Sequence, residues 1–185
     1  MSFNITTVLS VIGALILFAL FIYIIVLFNN YIILKNLVKK SSANIDVLLK
    51  QRFDELPNLV AAVKGYAKHE TELLLKITDT RVQIMSSGMN KKAEASASIS
   101  KSIKSIFAVA ENYPRLRANE NFLKLQQRIS SIESDIALRR EFYNDSVTNY
   151  NIWIETFPNS VLASLAKANK AELFSTDAKE VEVKF

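Results

Sequence analysis

The chain has 185 residues, a net charge of +5, three glycines, three prolines and no cysteine. The lack of cysteine excludes disulfides, thiolate metal sites and cysteine nucleophiles together, and the scarcity of Gly and Pro predicts long regular elements with few turns. Charge is unevenly placed: Met1 to Leu34 contain no Asp, Glu, Lys or Arg, so every charged side chain lies between Lys35 and Phe185.

ITTVLSVIGALILFALFIYIIVLF, Ile5 to Phe28, is an uncharged apolar run. As a helix it measures roughly 36 Å, enough to cross a hydrocarbon core of about 30 Å with some tilt. A cleaved signal peptide fits poorly, because the run is too long, no basic segment precedes it and no small-x-small site follows. Asn29, Asn30 and Tyr31 form a border, followed by the juxtamembrane lysines Lys35, Lys39 and Lys40. By the positive-inside rule these place the N-terminus outside and the bulk of the chain in the cytoplasm, anchored by one pass through the inner membrane.

Beyond the border, apolar residues recur at helical spacings of three and four. Leu34, Val38, Ile45, Leu48 and Leu56 form one stripe, and Leu59, Val63, Tyr66, Leu73, Ile77 and Ile84 a second. Ile99, Ile103, Ile106, Ala110 and Tyr113 form a third; the longest runs from Phe122 through Leu125, Ile129, Ile132, Ile136, Tyr143, Val147 and Tyr150 to Ile154. Pro57 is expected to break or kink the chain between the first two, since it lacks a backbone donor and drives Leu56 from helical geometry. SSGMN (Ser86 to Asn90) reads as a turn, Pro114 as the end of the third helix, and Asn119 with Glu120 as the cap and first turn of the fourth, which Phe157-Pro158 closes. The expected fold is all-α: an N-terminal transmembrane helix continuing as a stiff stalk into an antiparallel up-and-down four-helix bundle. The organisation is an anchor over 1–34, a bundle over 35–160, and a weakly amphipathic segment with a tail over 161–185.

Four blocks then stand in order: IDVLLKQRFDELPNLVAAVKGYAKHE, ENYPRLRANENFLKLQQ, REFYNDSVTNYN and ETFPNS. From about Asn36 to Ala163 they resemble the LemA family of bacterial proteins, and the closing VEVKF resembles family C-termini. The resemblance implies a membrane anchor, a four-helix domain and no established enzymatic activity; one branch of the family shapes magnetosome membranes, which implies membrane organisation as one role. Ser42, Leu48 and Gln51 depart from residues the family often carries there (Trp, Gln and Arg), so a partner surface on the stalk need not carry over.

Little else looks chemical. His69-Glu70 matches the start of the zinc-protease helix motif, but the position four residues after His69 is Leu73 and there is no other His. The carboxylates Asp46, Asp54, Glu70, Glu133, Asp135, Glu141 and Asp145 include no Glu-x-x-His pair of the kind di-metal bundles use. Asp46 with Lys50, and Asp135 with Arg139, have the spacing of surface ion pairs. No catalytic residue, metal or cofactor is therefore expected. Nucleic acid fits poorly despite a pI near 9.3, since basic and acidic residues are interleaved; the lysines at 35, 39 and 40 suit an anionic leaflet.

Tyr143, Asn144 and Asp145, with Tyr150 and Asn151, place polar groups in mid-helix, where Asn and Asp need partners. They are candidates for a buried polar network fixing the register of the bundle, or for a partner-binding face. The tail is disordered or packs on the bundle; Val183, Lys184 and Phe185 also have the form of a docking peptide for a strand-adding groove. The sequence thus points to a non-enzymatic, membrane-anchored scaffold that self-associates or holds another membrane protein, with no small-molecule substrate. The alternative is an adaptor or regulator of a membrane protease or other envelope complex.

Overall fold

The apolar run and the first stripe form one helix, α1 (Ile5–Lys64), in the computed structural model, which describes residues 5–64 and 88–175. Its 60 residues make a rod of about 90 Å. The surroundings change along it. From Ile5 to Phe28 no residue is buried, and large apolar side chains lie exposed all around the helix. From Tyr31 onward burial is confined to one face, carried by Tyr31, Ser41, Ile45, Leu49, Arg52, Phe53, Leu56, Leu59 and Val63.

α1 passes through Pro57 without ending, so of the expected break or kink it is the break that is corrected. Proline removes the donor that would reach the carbonyl of Phe53, at a cost of about 3 kcal/mol. Pro57 is exposed, however, while Phe53, Leu56, Leu59 and Val63 are buried around it on one face. Each such side chain gains about 1.5–3 kcal/mol by burial, so continuing the helix outweighs the missing bond. The rest of the second stripe (Tyr66, Leu73, Ile77 and Ile84), with His69, Glu70, Ser86 and Ser87, lies outside the described residues; of the expected SSGMN turn, Gly88 precedes the next helix and Met89 and Asn90 already belong to it.

Four further helices follow among the described residues: α2 (Met89–Ala110), α3 (Pro114–Arg117), α4 (Glu120–Glu155) and α5 (Asn159–Leu165), with no strand. Pro114 opens α3 at its first position, where a missing donor costs nothing, and α2 has already ended at Ala110; Tyr113 is therefore outside the helix and exposed. Asn119 caps α4 as expected, its Oδ1 accepting from the backbone N–H of Asn121 at 3.0 Å and of Phe122 at 3.1 Å. Pro158 follows the end of α4 and precedes α5.

Partners along α1 ascend while those along α4 descend: Tyr31 meets Tyr150 and Trp153, Ser41 meets Ser146, Arg52 meets Glu133, and Glu55 meets Arg128. The two helices therefore run antiparallel. α2 runs with α1, since Asp46 pairs with Lys92 and Arg52 with Ser96 and Ser100. One core joins the three through Ile45, Leu49, Ile99, Ile103, Ile106, Ile129, Ile132 and Ile136, and Phe107 meets Phe122 edge to face at 6.3 Å. Leu48 is only half-buried; its neighbour Leu49 takes the core position.

Pro57→Ala restores the missing donor without disturbing a buried contact. A gain of about 2 kcal/mol is expected in chemical denaturation, the restored helix outweighing the added freedom of the unfolded chain. Unchanged or lower stability would show that α1 needs the distortion proline imposes.

Candidate functional site

Two polar assemblies hold the described helices together. The first centres on Arg52, wholly buried at 0% exposure. Its Nη1 donates to Glu133 Oε1 at 2.7 Å and Ser100 Oγ at 2.9 Å, and its Nη2 donates to Ser96 Oγ at 2.8 Å. Ser100 Oγ lies 2.9 Å from both carboxylate oxygens of Glu133. Burial pulls the Arg52 pKa down and the Glu133 carboxylate opposes it, and a guanidinium keeps its charge even so. One side chain thus ties α1 to α2 and α4. A cleft of about 410 Å³ opens beside it, lined also by Ala93, Ala97, Ala137, Lys101, Lys104 and Arg140.

Sequence reasoning missed this site. In the sequence Glu133 is one carboxylate in a series, and Arg52 stands on the buried face between Leu49 and Leu56. A charge inside an apolar stripe was the available signal; such a residue is seldom buried without a partner. The expected Asp46–Lys50 pair is also corrected: Asp46 Oδ1 takes Lys92 Nζ at 2.7 Å, joining α1 to α2. Arg139 lies over the Phe142 ring with 6.0 Å to its centroid.

The second assembly uses the residues singled out in mid-α4. Beyond α5 the chain doubles back along α4 as an extended strap over residues 168–175. Asn144 accepts from the N–H of Phe174 at 2.8 Å and donates to its carbonyl at 3.4 Å. Asn151 does the same with Ala171, both bonds at 2.9 Å. Tyr143 donates to the carbonyl of Glu172 at 2.7 Å, and Tyr150 to that of Asn169 at 3.2 Å. The pattern follows from spacing. Tyr143-Asn144 and Tyr150-Asn151 are one motif repeated after seven residues, about 10.5 Å along a helix. Three extended residues, from Ala171 to Phe174 or from Asn169 to Glu172, span about 10 Å. Each amide thus stands in for a neighbouring strand, satisfying a donor and an acceptor that no regular element serves. Phe174 seals the end of the strap, 1% exposed, with the Arg140 guanidinium 5.2 Å from its ring centroid. Asp145 is exposed and makes none of these bonds.

At the border of the apolar run, Tyr31 is buried against Trp153 at 5.8 Å and Tyr150 at 6.3 Å between ring centroids. Lys35 Nζ lies 5.7 Å from the Tyr31 ring centroid, while Lys39 and Lys40 are exposed on the next turn. Among the described residues no three His, Cys, Asp or Glu side chains converge. Val183, Lys184 and Phe185 lie outside the described residues.

Arg52→Ala would strand Glu133 and two serines around a cavity, and a loss of about 3–5 kcal/mol is expected by chemical denaturation. Replacing Arg52 and Glu133 together by leucine should recover most of it; no recovery would mean that the serines, not the ion pair, dominate. For Tyr143, burial first, and then the Glu172 and Asp46 carboxylates, push the phenol up to about 12 from 10.0. Because the folded chain holds the proton more tightly, this contribution is whole below about pH 10 and is lost between about pH 10 and about pH 12. Tyr143→Phe should flatten the fall in stability across that window, measured as denaturation midpoint against pH.

Known proteins are similar to this chain in sequence. The magnetosome protein MamQ 2 of Paramagnetospirillum magneticum is 23% identical over 193 residues, covering 90% of this chain and 71% of that protein. Protein LemA of Metamycoplasma hominis is 28% identical over 152 residues, covering 80% of this chain and 69% of that protein. The family model described as the LemA family matches residues 41–185, which takes in α1 from Ser41, the Arg52 network and the strap. The chain belongs to the LemA family.

Proposed function

We propose that the chain is a single-pass membrane protein whose four-helix bundle acts in the cytoplasm as a non-enzymatic scaffold, by self-association or by holding another membrane protein. The observation that carries the proposal is the continuity of α1. One helix bears an apolar segment packed against nothing over residues 5–28, and the same helix supplies the face on which α2 and α4 pack. A core helix of a soluble protein would bury its apolar segment, and a cleaved leader would not be continuous with the domain's central rod. The domain is therefore coupled to the bilayer without a flexible joint, as suits a body that organises its surroundings. The three lysines after the span favour the cytoplasmic side, and the name of the magnetosome relative is in keeping with work at a membrane.

Buried polar groups support the same reading. Both Nη groups of Arg52 are bonded to Glu133, Ser96 and Ser100, its buried Nε alone being left without a partner, and the tyrosines and asparagines of α4 are engaged with the strap. The groups that first suggest chemistry are thus occupied in holding helices. An adaptor for a membrane protease or other envelope complex is the second reading, and the strap favours it: by fixing Phe174 on α4 it sets the point from which residues 176–185 depart.

Gentle extraction of the full-length protein at native expression, followed by measurement of the complex mass and identification of bound proteins, tests the proposal. A large assembly of this chain, or a defined complex with another membrane protein, is expected; a bare monomer would overturn it. Deleting Val181 to Phe185 separates the two forms. A self-assembling scaffold keeps its mass, and an adaptor docking through its tail loses its partner.

A further inference from the structure

The segment from Thr156 to Ala166, TFPNSVLASLA, carries no charge, and it joins α4 to α5 at the end of the molecule nearest the apolar run. Its inner face is accounted for: Ala163 is buried with Tyr31, Tyr150 and Ile154, and Leu162 packs against that cluster. Its outer face is not. Phe157 is 79% exposed, Leu165 is 82% exposed and Val161 is 56% exposed. These three recur every fourth residue, so Val161 and Leu165 share one face of α5 and Phe157 precedes them at the same interval.

The register of α4 on α1 gives the depth of this corner. Tyr31 touches both Tyr150 and Trp153, so Glu155 lies between about 3 and 8 Å farther toward the apolar run. That is the level of Val26 to Asn29, where the run gives way to its polar border. Phe157 follows Glu155 by two residues and so lies within about 7 Å of that level. Trp153, half-buried against the Tyr31 ring, stands just above, where amphipathic aromatic residues settle at a membrane interface. Charges flank the apolar face instead of interrupting it: Glu155 pairs with Lys170, and Lys167 is exposed.

We infer that the α4–α5 corner is a second membrane contact, in which Phe157, Val161 and Leu165 enter the interfacial region of the leaflet that α1 crosses. Its ligand is the lipid surface itself, at the boundary between headgroups and acyl chains. An apolar face of this kind, held beside a span at the depth where hydrocarbon begins, is covered by the bilayer the span occupies. The inference rests on residues 5–28 crossing the membrane.

The chain has no native cysteine, so single spin labels can be placed in the full-length protein. Phe157→Cys, Leu165→Cys, Ser134→Cys on the exposed side of α4, and Ile16→Cys within the apolar run are reconstituted into phosphatidylcholine–phosphatidylglycerol vesicles. Accessibility is then compared between oxygen, which partitions into lipid, and a water-soluble nickel chelate. The ratio of oxygen to nickel accessibility at Phe157 and Leu165 is expected to stand several-fold above that at Ser134 and to approach that at Ile16. Labels at 157 and 165 as aqueous as that at 134 would overturn the inference. So would labels shielded from both reagents, an outcome that assigns the face to a second copy of the chain. An aqueous label at Ile16 would instead show that the span itself has failed, and the corner contact with it.

Discussion

The antiparallel seam between α1 and α4 sets where every other part of this protein lies. It runs from Tyr31 against Tyr150 and Trp153 at one end to Glu55 against Arg128 at the other. Between these ends, Arg52 reaches Glu133 and Ser41 reaches Ser146 in the same register. Apolar packing alone would tolerate a shift of one turn, because apolar residues recur every three or four positions along the buried faces of both helices. The buried Arg52 does not tolerate it: a slip would leave a guanidinium and a carboxylate without partners in a dry interior, at several kcal/mol. The ion pair therefore contributes less to stability than to the choice of a single alignment.

That alignment has two consequences along α4. At one end, it brings the last turns of α4 beside Tyr31, next to the border of the apolar run, and sets the level of the turn into α5. Beside the seam, it leaves Tyr143, Asn144, Tyr150 and Asn151 within reach of the returning chain. The strap has no strand to pair with, yet its polar backbone groups lie against a mostly apolar domain. The repeated Tyr-Asn motif solves this because seven helical residues and three extended residues cover nearly the same length. The Phe174 side chain then adds apolar burial at the point where the strap ends.

How much of this was legible in the sequence depended on the range of the interaction responsible. The limits of α4 were legible because they are written locally, in the Asn119 cap and in Pro158 after the last turn. The buried apolar residues of α4 are legible for the same reason, since a 3.6-residue period sustained over 36 residues leaves little ambiguity. Pro57 was misjudged because its cost is local whereas the compensation, burial of Phe53, Leu56, Leu59 and Val63 against other helices, is not. Arg52 was invisible as a site because its carboxylate lies 81 residues away and its other partners are serines, which carry no charge signal. The polar residues of mid-α4 were recognised as needing partners, but those partners are backbone amides of the strap, and a backbone leaves no mark in a sequence.

The outward face at Phe157, Val161 and Leu165 bears on how the domain stands. A domain joined to a bilayer by one helix remains free to spin about that helix and to tilt with it, so none of its faces is fixed relative to the lipid. A second contact displaced from the helix axis removes both freedoms, because rotation would lift the corner out of the interface and tilt would drive it too deep. Lys35, Lys39 and Lys40, exposed on α1 above the same level, would resist deeper entry of such a corner, since charged side chains keep to the headgroup side. With the span and the corner contact both in place, the seam that fixes α4 against α1 would also fix which surfaces of α2 and α4 point along the membrane and which point away. For a scaffold, this orientation decides whether copies meet edge to edge in the plane of the bilayer or end to end away from it. Edge-to-edge contact is the geometry by which a rigid, doubly attached body would organise a membrane.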